Sequence, residues 1–203
     1  MKQKQSNKGK MIVLYGVNGI GKTTQVELLV EFLKMQGKNV SRLKYPVYDL
    51  EPEGPFIYKY LRDPKFRKEN PRTTDELQKL YADNRTRYES ELLARLDAGE
   101  WIVAEDYKGT GMAWGLTWGS DIEYLEEINK HTLEPDISIL MHGHRFDTAI
   151  EKDHRNETEG ERITICKNFH ILLAHKYGWP AVNANQSIEN VHKDIVALVK
   201  KTL

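Results

Sequence analysis

Gly16-Val17-Asn18-Gly19-Ile20-Gly21-Lys22-Thr23 matches G-x-x-x-x-G-K-[ST] in full. It follows a short apolar run, Met11 to Tyr15, and precedes Val26, Leu29, Val30 and Leu33, which share one helical face. The motif thus joins a strand to a helix, as its chemistry requires. Glycines let backbone N–H groups curl around phosphate oxygens, and the helix N-terminus adds partial positive charge. Lys22 is placed to neutralise β and γ phosphates and Thr23 to offer a magnesium ligand. Gly16, Asn18, Gly19, Ile20, Gly21, Lys22, Thr23 and Thr24 are therefore the expected ATP-binding residues. The loop specifies nucleotide phosphate binding and leaves the reaction open. Asn129-Lys130 is followed by His131-Thr132, so N-K-x-D is missing and a GTPase is disfavoured. Tyr15, not Lys, precedes Gly16, which removes the partitioning-ATPase form of the loop.

Other residues add chemistry to that loop. Glu105 and Asp106 end the apolar run Trp101 to Ala104, and two carboxylates beside a triphosphate repel it unless a cation intervenes. Tyr81 and Arg85, four apart, lie on one helical face and would point an aromatic plate and a planar five-donor group into one cleft; a core tyrosine beside a solvated arginine is the alternative. His142 and His144 lack the Cys or His companions of a zinc set.

Five apolar runs are the expected strands: Met11 to Tyr15, Val40 to Lys44, Trp101 to Ala104, Ile137 to Met141 and Ala181 to Asn183. They alternate with helical segments, which predicts an α/β fold, a P-loop NTPase-type three-layer α/β/α sandwich on a five-stranded parallel sheet. In such a sheet ligands gather at the strands' carboxyl ends, where the phosphate loop and the acid pair both fall. Thr73 with Glu76, and Ser120 with Glu123, have capping-box spacing, and Ile163 to Tyr177 and Ile188 to Val199 read as the last helices. The proline-rich stretch from Tyr45 to Pro71 is expected to be irregular apart from a short helix near Ile57 to Leu61. The nearly all-polar residues 152–162 read as a mobile lid, and residues 1–10, with four lysines and no apolar core, as a flexible basic tail, not a signal peptide.

A length of 203 residues suits one domain, and 30 Lys+Arg against 30 Asp+Glu leave no positive field for gripping nucleic acid. The longest apolar runs fall far short of the roughly 20 residues a membrane span needs. A lone Cys166 forms no internal disulfide, which fits a reducing cytoplasm.

With Gly21-Lys22-Thr23-Thr24-Gln25 in hand, the chain resembles the thymidylate kinase family over almost its whole length. That family shares a G-K-[ST]-T-Q segment, an R-x-P element after the second strand, an A-x-R type helix and a D-R-Y strand end. Here the later elements read Lys44-Tyr45-Pro46, then Leu80 to Arg85, then Glu105-Asp106-Tyr107 followed by Gly109-Thr110-Gly111. Only the first and third match closely.

The resemblance implies transfer of the γ-phosphoryl of Mg-ATP to dTMP, giving dTDP and ADP, by a homodimer with no nucleic-acid or membrane partner. It implies that Tyr81 stacks on the pyrimidine and Arg85 bonds its edge or the nearby phosphate. Asn18, Lys44, Thr110, Gly111 and Trp114 complete the expected substrate-binding set, with Trp114 near the 2′ position or, alternatively, like Trp118, in the core. The expected catalytic residues are Lys22, Glu105, Asp106 and Arg155, and the expected metal-side residues Thr23, Glu105 and Asp106. Where the family carries Asp-Arg, Glu105 keeps the acid with a longer arm and Asp106 reverses a charge. The lost clamp is then absent, moved to Lys108 or Lys44, or replaced by a second metal-directed acid, and a register in which Asp106 is the magnesium-side acid stays equally open. Asn18 and Gly19 replace an acid and an Arg of some members, so the cation on the moving phosphoryl group must come from the lid, where Arg155 is expected to serve ahead of Lys152 and Arg162. A kinase for another deoxynucleotide or for a deoxynucleoside, and a non-catalytic nucleotide-binding paralogue, remain the alternatives.

Overall fold

A computed structural model describes residues 8–146, 154–156 and 160–202. Residues 1–7 of the expected tail, and Lys152, Asp153 and residues 157–159 of the expected lid, lie outside the described residues.

Five strands, β1 (Met11–Tyr15), β2 (Val40–Lys44), β3 (Trp101–Glu105), β4 (Ile137–His142) and β5 (Ala181–Asn183), form one sheet in the order β2-β3-β1-β4-β5. All neighbours are parallel, with Val13 opposite Ala104 on one side and Ser138 on the other. The central strands are buried on both faces, which is why they read as unbroken apolar runs and not as alternating ones. Alternate side chains still divide the core. Ile12, Leu14, Val103, Ile139 and Met141 pack with α1 (Lys22–Met35) and α8 (Ile188–Val199) through Leu29, Leu33, Ile195 and Val199. Met11, Val13, Ile102, Ala104 and Leu140 turn to the opposite face, against Leu92 and Leu96 of α4 (Thr74–Asp97) and Ala174 of α7 (Gly160–Tyr177). The three-layer sandwich on a parallel sheet is thus as expected. No described helix is long and apolar enough to cross a membrane.

Tyr45 to Pro71 is more regular than its prolines suggest, forming α2 (Glu53–Arg62) and α3 (Pro64–Glu69). Pro52 is the N-cap of α2, Pro55 lies in its first turn and Pro64 opens α3. A helix's first N–H groups have no intrahelical acceptor, so prolines there mark starts and break nothing. Asp63 caps α3, accepting from the backbone N–H of Lys65 at 2.9 Å and Phe66 at 3.0 Å. Lys108–Thr117 is helix α5, an element not among those expected, and it contains three glycines. A Cβ on Gly109 would collide with the Tyr15 and Trp179 rings, and one on Gly115 would reach Leu125 at 2.7 Å. These glycines therefore serve close packing. The expected Ser120–Glu123 box does not form: Asp121 precedes α6 (Ile122–Asn129), and Ser120 Oγ donates to Asp75 at 2.6 Å instead. The Thr73–Glu76 box does form, with Thr73 Oγ1 accepting from Glu76 N at 3.2 Å and Glu76 Oε2 from Thr73 N at 2.8 Å.

T73A removes the acceptor at the exposed start of α4 and should lower stability by about 1 kcal/mol, about 2–4 °C in melting temperature for a chain of this size. Calorimetry on the purified variant checks this, and its nucleotide binding should be unchanged because Thr73 lines neither of the cavities described below.

Candidate functional site

The phosphate loop needs backbone that only glycine supplies comfortably. Gly16 has φ 144° and Gly21, the N-cap of α1, has φ 92°. A Cβ on Gly16 would stand 2.6 Å from the carbonyl oxygen of Met141 on β4. Lys22 opens α1 and is 4% exposed, its Nζ donating to the carbonyls of Gly16 at 2.8 Å and Val17 at 3.1 Å. The same Nζ lies 3.5 Å from Asp106 Oδ1.

Strand order sets the rest of the charge pattern. Because β3 lies between β1 and β2, Glu105 at its end is opposite Leu14 on one side and Lys44 on the other. Its carboxylate accepts from Thr23 Oγ1 at 3.0 Å and from Lys44 Nζ at 2.9 Å. Burial alone would raise the Glu105 pKa, but the Lys44 and Lys22 charges and these two bonds outweigh it and hold the carboxyl below its ordinary range. Asp106 is the opposite case. Burial raises its pKa and the Glu105 charge adds to that, while Lys22 and the 2.8 Å bond from Thr110 Oγ1 oppose it. It also sits at φ 63°, left-handed backbone that Asp tolerates better than most residues.

A cleft of ≈ 350 Å³ collects the expected side chains: Asn18, Gly19, Gly21, Lys22, Thr23, Thr24, Lys44, Tyr81, Arg85, Glu105, Asp106, Thr110, Gly111 and Trp114 all line it. Gly16 and Ile20 belong to the same loop behind that wall. Tyr81 and Trp114 are both core and wall: Tyr81 packs with Ile57, Tyr60, Leu61 and Leu77, and Trp114 lies in the main core. Lys108 is not in the cleft but paired with Glu134, so of the two relocated clamps the sequence allowed, only Lys44 is there.

Arg155 is not brought to the cleft. Its backbone N–H donates to Leu61 O at 2.9 Å and its guanidinium lies 4.0 Å from the Trp118 ring centre, with that of Arg162 at 3.8 Å from the same ring. An aromatic face attracts a guanidinium, and here the Trp118 ring takes both arginines. The flanking His154 and Asn156 line the cleft instead.

Sequence reasoning missed further residues. Arg62, at the end of α2, lines the cleft with its guanidinium 5.1 Å from the Tyr48 ring. Asn84 of α4 exchanges two bonds with the Val47 backbone, 2.8 and 2.9 Å, and so ties the loop after β2, which carries Tyr45 and Tyr48, to the helix carrying Tyr81 and Arg85. A polar residue on the buried stripe of α4 was the available signal. Across the phosphate loop lies a second, more apolar cavity of ≈ 440 Å³, whose wall includes Gly19, Ile20, Thr24, Met141, Phe146, Ile188 and Val191.

Among the described residues no three metal-ligating side chains cluster. Magnesium does not need such a cluster, since it is commonly held by one or two carboxylates together with phosphate oxygens and water. Thr23 Oγ1 and the Glu105 carboxylate, in contact with each other beside the phosphate loop, fit that pattern, with Asp106 next to them.

Because the folded protein disfavours ionised Asp106, that charge opposes folding at pH values above its raised pKa, and the opposition fades as pH falls and the carboxyl protonates. D106N, with a side chain equally suited to left-handed backbone, should raise the melting temperature of the nucleotide-free protein in EDTA at neutral pH by about 2–4 °C. The gain should shrink at lower pH. An unchanged or lower melting temperature at neutral pH would contradict this electrostatic assignment.

The family model for thymidylate kinase matches residues 14–195. The thymidylate kinase of Plasmodium falciparum is 29% identical over 201 residues, covering 96% of this chain and 91% of the relative. That of Synechococcus sp. (strain CC9605) is 30% identical and covers 90% and 93%. The solved thymidylate kinase of Candida albicans superposes with a TM-score of 0.80 at 19% identity, covering 96% of this chain and 92% of that one. A phosphate loop, a sheet ordered β2-β3-β1-β4-β5 and a match across residues 14–195 lead to one assignment: the chain belongs to the thymidylate kinase family of phosphotransferases.

Proposed function

We propose that the protein transfers the γ-phosphoryl group of Mg-ATP to dTMP, releasing dTDP and ADP. One observation carries this reading: a single cleft is lined by both the phosphate-loop cation Lys22 and the Tyr81–Arg85 face. Donor phosphates and an aromatic acceptor base can therefore be held in one space, and positioning supplies much of the rate in phosphoryl transfer.

Each part has a task. The loop N–H groups and Lys22 hold the β and γ phosphates, and the apolar cavity across the loop takes the donor's base. Thr23 and Glu105 hold magnesium, with Asp106 as a second acid on the same side. The metal, when bound, neutralises charge on the β and γ oxygens. Tyr81 stacks on the acceptor's ring, and Arg85 donates to it. Lys44 and Arg62 face the acceptor's phosphate from the β2 and α2 side. Walls built from Tyr45, Tyr81, Tyr107 and Trp114 exclude water, which keeps ATP from being hydrolysed. No covalent enzyme intermediate is required. The buried Cys166 thiol, pushed up to about 12 by burial, stays protonated and takes no part, and an unpaired thiol suits a reducing cytoplasm.

A second reading, phosphorylation of a deoxynucleoside, is favoured by one observation: Lys44 is already engaged by Glu105 and an acid stands at position 106, leaving less positive charge for an acceptor phosphate.

ADP release from Mg-ATP with no acceptor, thymidine, dTMP, dUMP, dCMP, dGMP or dAMP separates these readings. Stimulation chiefly by dTMP is expected; stimulation chiefly by thymidine selects the second reading, and none by any acceptor overturns both. Lys22→Ala should lower turnover at least about 100-fold while leaving far-UV circular dichroism unchanged, and near-normal turnover would contradict the role of the loop.

A further inference from the structure

We propose that Asn129, at the end of α6, is the positioning residue that fixes the Arg85 guanidinium as a reader of a ring carbonyl. The proposal rests on the cleft being the acceptor site. Arg85 Nε and Nη2 both donate to Asn129 Oδ1, at 3.0 and 2.8 Å. Asn129 Nδ2 in turn donates to Leu125 O at 2.8 Å, and the Asn129 carbonyl accepts from Thr132 N at 3.1 Å and Thr132 Oγ1 at 2.7 Å. Arg85, Asn129 and Thr132 are all buried. The amide can face only one way. Turned over, it would set its NH₂ against the guanidinium and its oxygen against Leu125 O, leaving buried groups unsatisfied.

The choice of an amide over a carboxylate matters for charge. Among the described residues no carboxylate pairs with Arg85; its own pKa is lowered by burial, against the Tyr107, Tyr15, Tyr45 and Tyr81 groups that oppose the shift. Asn129 therefore gives the guanidinium an acceptor that fixes its plane without neutralising it. The Nη1 and Nη2 end borders Gly111 on the cleft wall, where a Cβ would lie 3.3 Å from both nitrogens. A charged pair of N–H donors presented there binds a ring carbonyl and rejects an exocyclic amino group, since donors would face donors. Cytosine keeps a carbonyl at C2, so the preference for thymine or uracil over cytosine arises where this donor pair faces C4, which carries oxygen in the first two and NH₂ in the third.

Steady-state kinetics on N129L and N129D with dTMP, dCMP and ATP test this. N129L should raise KM for dTMP about 10-fold or more and shrink the preference for dTMP over dCMP in step, leaving KM for ATP and kcat at saturating dTMP within about twofold. N129D retains an acceptor oxygen, so it should recover part of both losses. Unchanged KM and preference in N129L, or an equal rise in KM for ATP, would overturn the proposal. Should N129L not fold, N129D decides: a smaller preference supports the proposal and an unchanged one overturns it. If the wild-type protein is not stimulated by dTMP, the functional reading fails on its own. Positioning is then still decided by the exchange of the Arg85 Nε–H in ¹⁵N spectra, slow in the wild type and in N129D and fast in N129L if the oxygen at position 129 holds it, and alike in all three if it does not.

Discussion

Two carboxylates placed beside a buried lysine set the terms for everything at the carboxyl edge of this sheet. Glu105 ends β3 and Asp106 directly follows it, Lys22 lies 3.5 Å from Asp106, and all three line the same cleft. Groups of one sign cannot be gathered in a desolvated space without partners. The fold supplies them from separate elements: Lys44 from β2 and Thr23 from α1 for Glu105, Thr110 from α5 for Asp106. Only a strand order that seats β3 between β1 and β2 lets one carboxylate reach both. Asp106 remains the residue least at ease, and its strained backbone and unfavourable charge are the kind of cost a protein keeps where a cation must be drawn in.

The Tyr81–Arg85 face of the cleft is built by a different logic. Aromatic side chains surround one guanidinium, and hydrogen bonds of fixed direction, not opposite charges, hold the parts in register. Asn84 secures the loop after β2 to α4, while Asn129 secures Arg85 to α6. Both amides are buried, so each bond is expensive to lose, and together they join α4, α6 and the Tyr45–Tyr48 loop around a ring-sized space.

Much of this was legible in the sequence, for local reasons. The phosphate loop is a contiguous string whose geometry its own glycines dictate, and the buried strands announce themselves as short apolar runs. Tyr81 and Arg85 were legible because helical spacing alone puts them on one face. What escaped depended on partners distant in the chain. The prolines of Tyr45 to Pro71 read as breakers until Pro52, Pro55 and Pro64 are seen at helix starts. The helix α5 was not foreseen around Gly109, Gly111 and Gly115, because what holds it, the rings of Tyr15 and Trp179 against Gly109, is distant in the chain. Arg155 was the natural choice for a lid cation by charge alone, but the Trp118 face that takes it lies 37 residues earlier and left no local sign. Asn129 was noticed only as a failed nucleotide motif, because its role exists only once α6 lies against α4.

If the acid pair exists to draw a cation to the phosphate loop, it should hinder nucleotide binding when no cation is present. Calorimetric titration of ATP into wild type and D106N, each with magnesium and in EDTA, measures this directly. D106N is expected to bind metal-free ATP about tenfold tighter than wild type does, as removal of one like charge near a triphosphate implies, with a smaller gain from magnesium. Equal metal-free affinities and an unchanged gain from magnesium in the two proteins would contradict it.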